Sequence, residues 1–180
     1  MRLFIAIPPG RSLRRGLVSV QDALRARGVQ GNFTSAENLH LTLAFIGEYG
    51  DPERVLEAMD TVRFSPIPLR LEGIGAFDTV WWARLNESEA LDTLAKQLRR
   101  TLAEAEIPFD RKRFRAHITL VRKPVFRRNV DFDAIPVPAA SMTAERMALM
   151  SSTRGKHGMI YTEIGEVRCT DDADTAGEVR

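Results

Sequence analysis

Two stretches of this 180-residue chain share one pattern: His40-Leu41-Thr42-Leu43 and His117-Ile118-Thr119-Leu120. On a β-strand, residues two apart point the same way, so each stretch sets an imidazole beside a hydroxyl while the intervening aliphatic residues face a core. One such stretch would be unremarkable, since a histidine at a strand start is usually a surface or hydrogen-bonded core residue. Two copies among only three histidines are harder to assign to packing. If the two strands lie side by side, the imidazoles flank a single substrate. Histidine suits paired proton donation and acceptance because its unperturbed pKa, about 6.5, lies near working pH.

The surroundings of the second stretch point to an anionic substrate. From Arg111 to Arg128 the chain carries Arg111, Lys112, Arg113, Arg115, Arg122, Lys123, Arg127 and Arg128 with no carboxylate. A basic run of this kind is a candidate phosphate-binding surface. The formal charge of +2 is therefore the balance of a basic middle and an acidic tail, and the placement matters more than the sum. Apolar residues at 44% and charged residues at 28% match an ordinary soluble globular protein. No apolar run approaches the roughly 18–20 residues of a spanning helix, and Pro8-Pro9 interrupts the first apolar stretch too early for a signal peptide. The lone Cys169 excludes an internal disulfide and a multi-cysteine metal site, which fits a reducing compartment. No membrane association and a cytoplasmic location are expected.

The elements that must hold the two stretches can be read from periodicity. Arg2 to Ile7 reads as a strand ended by prolines. Leu13, Leu17, Val20 and Leu24 form a helical stripe that Gly28 can terminate. Leu39 to Phe45 alternates as a half-buried strand, and Asp51-Pro52 starts a second helix with Val55, Met59 and Val62 on its apolar face. Leu69 to Ile74 and Val80 to Leu85 suggest a hairpin. Leu91, Leu94, Leu98 and Leu102 mark a third helix with Asn86 or Ser88 as N-cap. His117 to Val121 is again an alternating strand, and Met147–Met150 and Met159–Ile164 read as two closing strands. This order predicts an α+β fold with helices outside a largely antiparallel sheet. The histidine stretches are a weak repeat of period near 77 residues, consistent with two similar lobes and no linker between independent domains. Residues 1–169 are expected to form one bilobal domain, and residues 170–180 a polar, acidic, weakly held tail.

The motifs Leu3-Phe4-Ile5-Ala6-Ile7, His40-Leu41-Thr42-Leu43-Ala44-Phe45-Ile46-Gly47 and Arg115-Ala116-His117-Ile118-Thr119-Leu120-Val121-Arg122 together resemble the two-histidine (2H) phosphoesterases. Among these the chain is most similar to the RNA 2′,3′-cyclic phosphodiesterases, historically called 2′-5′ RNA ligases. The resemblance extends over roughly residues 2–168. It implies two pseudo-twofold-related α/β lobes with the site in the groove between them. It further implies His40 as proton donor, His117 as proton acceptor, and Thr42, Thr119 and Arg122 as phosphate ligands. The implied reaction is metal-independent hydrolysis of a terminal 2′,3′-cyclic phosphate to a 2′-phosphomonoester. The expected partner is RNA bearing that terminus, or a small cyclic nucleotide, with the protein acting as a monomer. Ala116 departs from the family, where proline often precedes the second histidine.

Such chemistry needs a proton removed from the attacking water, a proton delivered to the departing ribose oxygen, and donors for the equatorial phosphate oxygens. Arg122 poses a problem of parity: five residues from His117, strict alternation puts it on the opposite face, so a bulge or a wrapping side chain must re-aim it. Arg115 has the right parity without motif weight. Phe45 alternates with the core face, where packing is expected, although it could stack on a base at the cleft edge. Trp81-Trp82 puts one ring on each side of its strand, and His157 lies in a turn-like context outside the core site. Neither histidine motif contains the Asp or Glu that a metal site would need, and no glycine-rich phosphate loop is present, so no cofactor is expected. The rival readings are a metal-dependent hydrolase, an RNA-binding module without turnover, and RNA ligation by the reverse reaction.

Overall fold

The computed structural model describes residues 1–170, and within them the chain forms nine strands, three α-helices and two short 3-10 turns. The elements run β1 (Arg2–Ile7), α1 (Arg11–Ala26), β2 (Gln30–Phe33), β3 (Leu41–Glu48), α2 (Pro52–Asp60), β4 (Ile67–Phe77), β5 (Val80–Leu85), α3 (Glu89–Glu104), β6 (Ile118–Val125), β7 (Ser141–Ala144), β8 (Arg146–Gly155) and β9 (Gly158–Arg168). The α+β architecture with a mostly antiparallel sheet is as expected.

The helices form where the stripes predict. Leu13, Leu17, Val20 and Leu24 are fully buried on α1. The helix ends on Gly28 at φ 83°, with the Gly28 and Val29 amides donating to the Arg25 and Leu24 carbonyls. That pattern satisfies the last free carbonyls and favours glycine at the left-handed position. Asp51 caps α2 by accepting from the Arg54 amide, with Pro52 in the first turn. Val62, placed on the α2 stripe, lies just beyond the helix but is buried with it. For α3 the cap is Ser88, which accepts from the Leu91 amide. Asn86 instead accepts from the Arg70 amide on the neighbouring strand.

The sheet follows the order β7-β4-β5-β6-β3-β1-β8-β9, with β2 added to β6. Outward from the centre, the order is β3-β1-β8-β9 on one side and β6-β5-β4-β7 on the other, every pairing antiparallel. Two four-stranded halves thus repeat one topology about the β3–β6 contact. Among the described residues, Leu41 and Ile118 form the single registered pair between β3 and β6. The helices cross over: α1, which follows β1, packs on β4, β6 and β7, whereas α3 packs on β3 and α2, and α2 on β9. Leu3, Ile5, Ile7, Leu41, Leu43, Ile118 and Leu120 are buried in the core with the helical stripes.

Two short strands, β2 and β7, are not expected from the sequence. Their segments, Gln-Gly-Asn-Phe and Ser-Met-Thr-Ala, lack a run of apolar or β-branched residues, and each adds only four residues to a sheet margin. The closing strands β8 and β9 are longer than their apolar segments because charged residues continue the ladder to Arg168. Thr170, assigned to the tail, is tied to the Phe64 carbonyl through its amide and hydroxyl. The remainder of the tail, residues 171–180, lies outside the described residues.

Gly16 tests the tightness of the α1 contact. A glycine inside a helix costs roughly 0.5–1 kcal/mol relative to alanine. Here a Cβ would lie 2.4 Å from the Ala140 Cβ and 3.3 Å from Leu71 Cδ2, so the bare backbone is what lets α1 approach the sheet. Gly16→Ala is expected to lower stability by about 1–3 kcal/mol, the cost of overpacking, despite its better helix propensity. Urea unfolding monitored by tryptophan fluorescence measures this, and an unchanged or higher midpoint contradicts the packing argument.

Candidate active site

His40 and His117 each stand one residue before a central strand, at the entries of β3 and β6. Extending the antiparallel register from the Leu41–Ile118 pair puts Thr42 across from His117 and Thr119 across from His40. Thr42 and His117 line one cavity, and Thr119 and His40 hold the matching positions of the repeat.

Both rings are tethered in the same manner. His40 Nδ1 lies 2.6 Å from the Asn38 carbonyl oxygen and His117 Nδ1 lies 2.7 Å from that of Arg115. A carbonyl can only accept, so Nδ1 carries the hydrogen and Nε2 is left to take or give a proton. The two rings differ in their walls. His40 packs against Phe4, ring centroids 4.8 Å apart, and against the edge of Tyr161 at 5.3 Å. His117 meets Phe77 at 5.1 Å and Trp82 at 6.0 Å. It also lines a cavity of about 420 Å³ with Thr42, Phe45, Phe77, Phe114 and Arg115.

The electrostatics of the pair follow from this packing. Burial lowers the His40 pKa below the usual imidazole value; the Asn38 carbonyl opposes this, and the positive charges of Arg122 and His117 add to the lowering. His117 is lowered for the same reasons: burial first, opposed by the Arg115 carbonyl and reinforced by Arg122. Arg122 is thus close enough to act on both rings. The parity problem is solved by a bulge. In the β5–β6 ladder Trp81 pairs with Val121 and Trp82 with Thr119, which skips Leu120. Leu120 and Val121 are consequently both buried, and Arg122 comes round to the histidine face. The β1–β3 ladder skips Leu43 at the equivalent place, pairing Ile5 with Ala44 and Ala6 with Thr42. Leu43 and Ala44 are both buried, and Phe45 is turned out of the core.

The expectation that Phe45 packs in the core is therefore corrected. The bulge puts it in the cavity wall with Thr42 and His117, and the Arg2 guanidinium lies 5.0 Å from its ring centre. Trp81 is 7% exposed and packs on Phe126 and Phe132, while Trp82 is the half-buried partner of His117. The basic run divides: Lys112, Arg113 and Arg115 line the cavity beside His117, whereas Arg127 and Arg128 line a separate one with Arg27. His157 is exposed in the turn between β8 and β9. Phe4, Phe77, Trp82 and Tyr161 escape sequence reading as walls of the site. For Phe4 alternation with buried Leu3 and Ile5 holds a signal, but Tyr161 belongs to a strand whose approach to His40 has no local trace.

No helix among the described residues is long and apolar enough to cross a membrane, and no three His, Cys, Asp or Glu side chains among them cluster as a metal site.

A family model described as LigT-like phosphoesterase matches residues 7–82 and 84–161. The RNA 2′,3′-cyclic phosphodiesterase of Archaeoglobus fulgidus is 35% identical over 137 residues, covering 72% of this chain and 75% of the relative. That of Thermotoga maritima is 29% identical over 178 residues, covering 92% and 94%. Among solved structures, a protein of Thermus thermophilus superposes with a TM-score of 0.75 at 30% identity, covering 93% of this chain and 97% of that one. Escherichia coli LigT in complex with 3′-AMP superposes with a TM-score of 0.77 at 24% identity, covering 94% and 98%. The matched segments contain both histidine stretches and the bulges that follow them, and the chain belongs to the LigT-like phosphoesterase family.

Proposed function

We propose that this phosphoesterase opens the terminal 2′,3′-cyclic phosphate of RNA to a 2′-phosphomonoester, with His40 as proton donor and His117 as proton acceptor. The observation that carries the reading is the duplicated tether: two imidazoles at equivalent strand entries, each with Nδ1 donating to the carbonyl two residues earlier and Nε2 left for chemistry. Neutral His117 Nε2 takes a proton from water as the water oxygen attacks phosphorus. The bond from phosphorus to the ribose 3′ oxygen breaks, and protonated His40 Nε2 supplies the proton that this oxygen needs. Thr42, Thr119 and Arg122 ligate the non-bridging oxygens, where negative charge concentrates in the transition state.

The relatives named RNA 2′,3′-cyclic phosphodiesterase support the substrate class. The cavity beside Thr42 and His117, walled by Phe45, Phe77 and Phe114 and bordered by Arg113 and Arg115, suits a nucleobase stacked on an aromatic face with its backbone near cations. Residues 1–169 operate on this reading as one bilobal unit and as a monomer, in the cytoplasm.

A positioned acid or base contributes about 10²–10⁴ in rate. His40→Ala and His117→Ala are each expected to lose that much turnover on a short RNA ending in a 2′,3′-cyclic phosphate, assayed with EDTA present, while substrate binding changes far less. Thr42→Ala and Thr119→Ala remove one neutral donor apiece and should lose roughly tenfold. A histidine variant that retains near-wild-type turnover ends the two-histidine mechanism, and turnover abolished by EDTA supports a metal-dependent one.

The lowered pKa values set the pH dependence. As donor, His40 must be protonated, so activity falls as pH rises through its pKa, which in the free protein is below the ordinary value of about 6.5. A bound phosphodiester anion favours the imidazolium and raises that pKa. The alkaline limb of kcat is therefore expected at higher pH than the alkaline limb of kcat/KM. Coincident limbs contradict this, as does a kcat/KM limb well above the ordinary imidazole range.

A further inference from the structure

Two inward-facing polar side chains, one on each of the pseudo-equivalent helices α1 and α3, remain outside this scheme. Gln21 on α1 is 2% exposed. Its Nε2 donates to the Thr34 carbonyl at 2.8 Å and to the Leu120 carbonyl at 3.0 Å. The half-buried Arg99 on α3 donates from Nε to the Leu43 carbonyl at 3.1 Å and from a terminal nitrogen to the Lys112 carbonyl at 2.6 Å. Leu120 is skipped in the β5–β6 ladder and Leu43 in the β1–β3 ladder, which also skips Ile46; Leu120 and Leu43 each stand three places after a histidine of the repeat. The second carbonyl of each pair is similarly placed: Thr34 lies six residues before His40, and Lys112 five residues before His117. Each side chain thus joins the bulge of one histidine strand to the approach of a histidine. Gln21 links the β6 bulge to the segment leading into His40, and Arg99 links the β3 bulge to the segment leading into His117. The Leu120 carbonyl also accepts from the Thr34 amide, so an aliphatic residue of equal size at 21 would leave it that bond alone and take the Gln21 donor from the Thr34 carbonyl, and at 99 it would take the side-chain donor from both Leu43 and Lys112.

We propose that Gln21 and Arg99 are a crosswise pair of positioning residues that hold the Leu120 and Leu43 bulges in register, so that Arg122 and Phe45 face the substrate. The proposal rests on the functional reading above for what Arg122 and Phe45 do. Gln21 is buried away from the site, and Arg99 lines the outer cavity beside Phe114, where a direct contact with substrate would raise KM equally with and without Phe45. Each acts through the strand, because a ladder without the skipped residue would return the following side chain to the opposite face.

The prediction distinguishes positioning from stability. Gln21→Met keeps the length and removes both donors. It is expected to lower kcat/KM roughly tenfold in the wild-type background and to have little further effect on Arg122→Ala, since the residue it aims is already gone. A readout independent of activity comes from NMR titration of the imidazoles. Arg122 lowers both histidine pKa values, so Arg122→Ala should raise them, Gln21→Met should raise them in the same direction, and the double variant should not exceed Arg122→Ala. The other half has its own cycle: Arg99→Met should raise KM in the wild-type background but not on Phe45→Ala, and Arg99→Lys, which keeps a donor for the Leu43 carbonyl, should restore it. This arm decides the question if Gln21→Met does not fold. Equal losses in both backgrounds, or folded variants with unaltered histidine titrations and kinetics, overturn the proposal. A wild-type protein inert on the cyclic-phosphate RNA defeats the functional reading instead, and the titrations still decide the positioning role.

Discussion

The site depends on one sparse contact. β3 and β6 meet in register at Leu41 and Ile118, and beyond that pair each strand turns to other partners: β3 to β1, and β6 to β5 and β2. Had the central ladder continued, the sheet would have closed flush across its middle. Because it stops after one pair, the two halves diverge directly beyond the histidine entries, and carbonyls along the central margins of β3 and β6 need other donors. Arg99 serves the Leu43 carbonyl, the Asp110 amide serves Phe45, and Gln21 with the Thr34 amide serves Leu120. A buried carbonyl left without a donor costs free energy comparable to a lost hydrogen bond, so the opening at the centre requires these substitutes.

The same contact explains the crossed helices. A helix following β1 could have covered its own half, but α1 spans to β4, β6 and β7, which is where Gln21 can reach Leu120. Covering each half with an element from the other ties the halves through the core as well as through the sheet. Gly16 belongs to this arrangement, since its missing side chain sets how near α1 comes to Ala140 and Leu71.

Much of this was legible from periodicity alone. The helical stripes and the two histidine strands follow from spacings of two, three and four residues, which depend on local backbone geometry, and residue type marks the Asp51 cap but leaves Asn86 and Ser88 as rivals for the α3 cap. Arg122 and Phe45 were not legible in the same way. A bulge adds one residue to one strand relative to its partner, and nothing in Leu43-Ala44 or Leu120-Val121 announces it, because two consecutive buried aliphatics also fit a strand covered on both faces. The repeat itself held the unused clue: alternation predicted the wrong face for both residues at the fifth place after each histidine. β2 and β7 were lost for a different reason, since short marginal strands form because a neighbouring strand offers free hydrogen-bonding groups, whatever the propensity of their own residues.

Electrostatics gives the assembled site its character. The two imidazoles are largely buried and feel the charge of the exposed Arg122, so protonating either ring is opposed by lost solvation and by like charge. Without an anion the balance favours neutral imidazoles, which leaves Arg122 as the standing positive charge and Nε2 of each ring as an acceptor. An arriving anion reverses the balance: it neutralises the guanidinium's field and makes an imidazolium favourable. Proton uptake and anion binding are then linked, each strengthening the other by the same free energy. On the proposed reading only one ring should take that proton, and the walls of the two rings differ. His40 is enclosed by Phe4 and Tyr161, whereas His117 opens toward the cavity with Phe45 and Arg115. On that reading water reaches the open ring, whereas burial opposes the imidazolium of the enclosed ring, so His40 depends on the anion's charge to hold its proton.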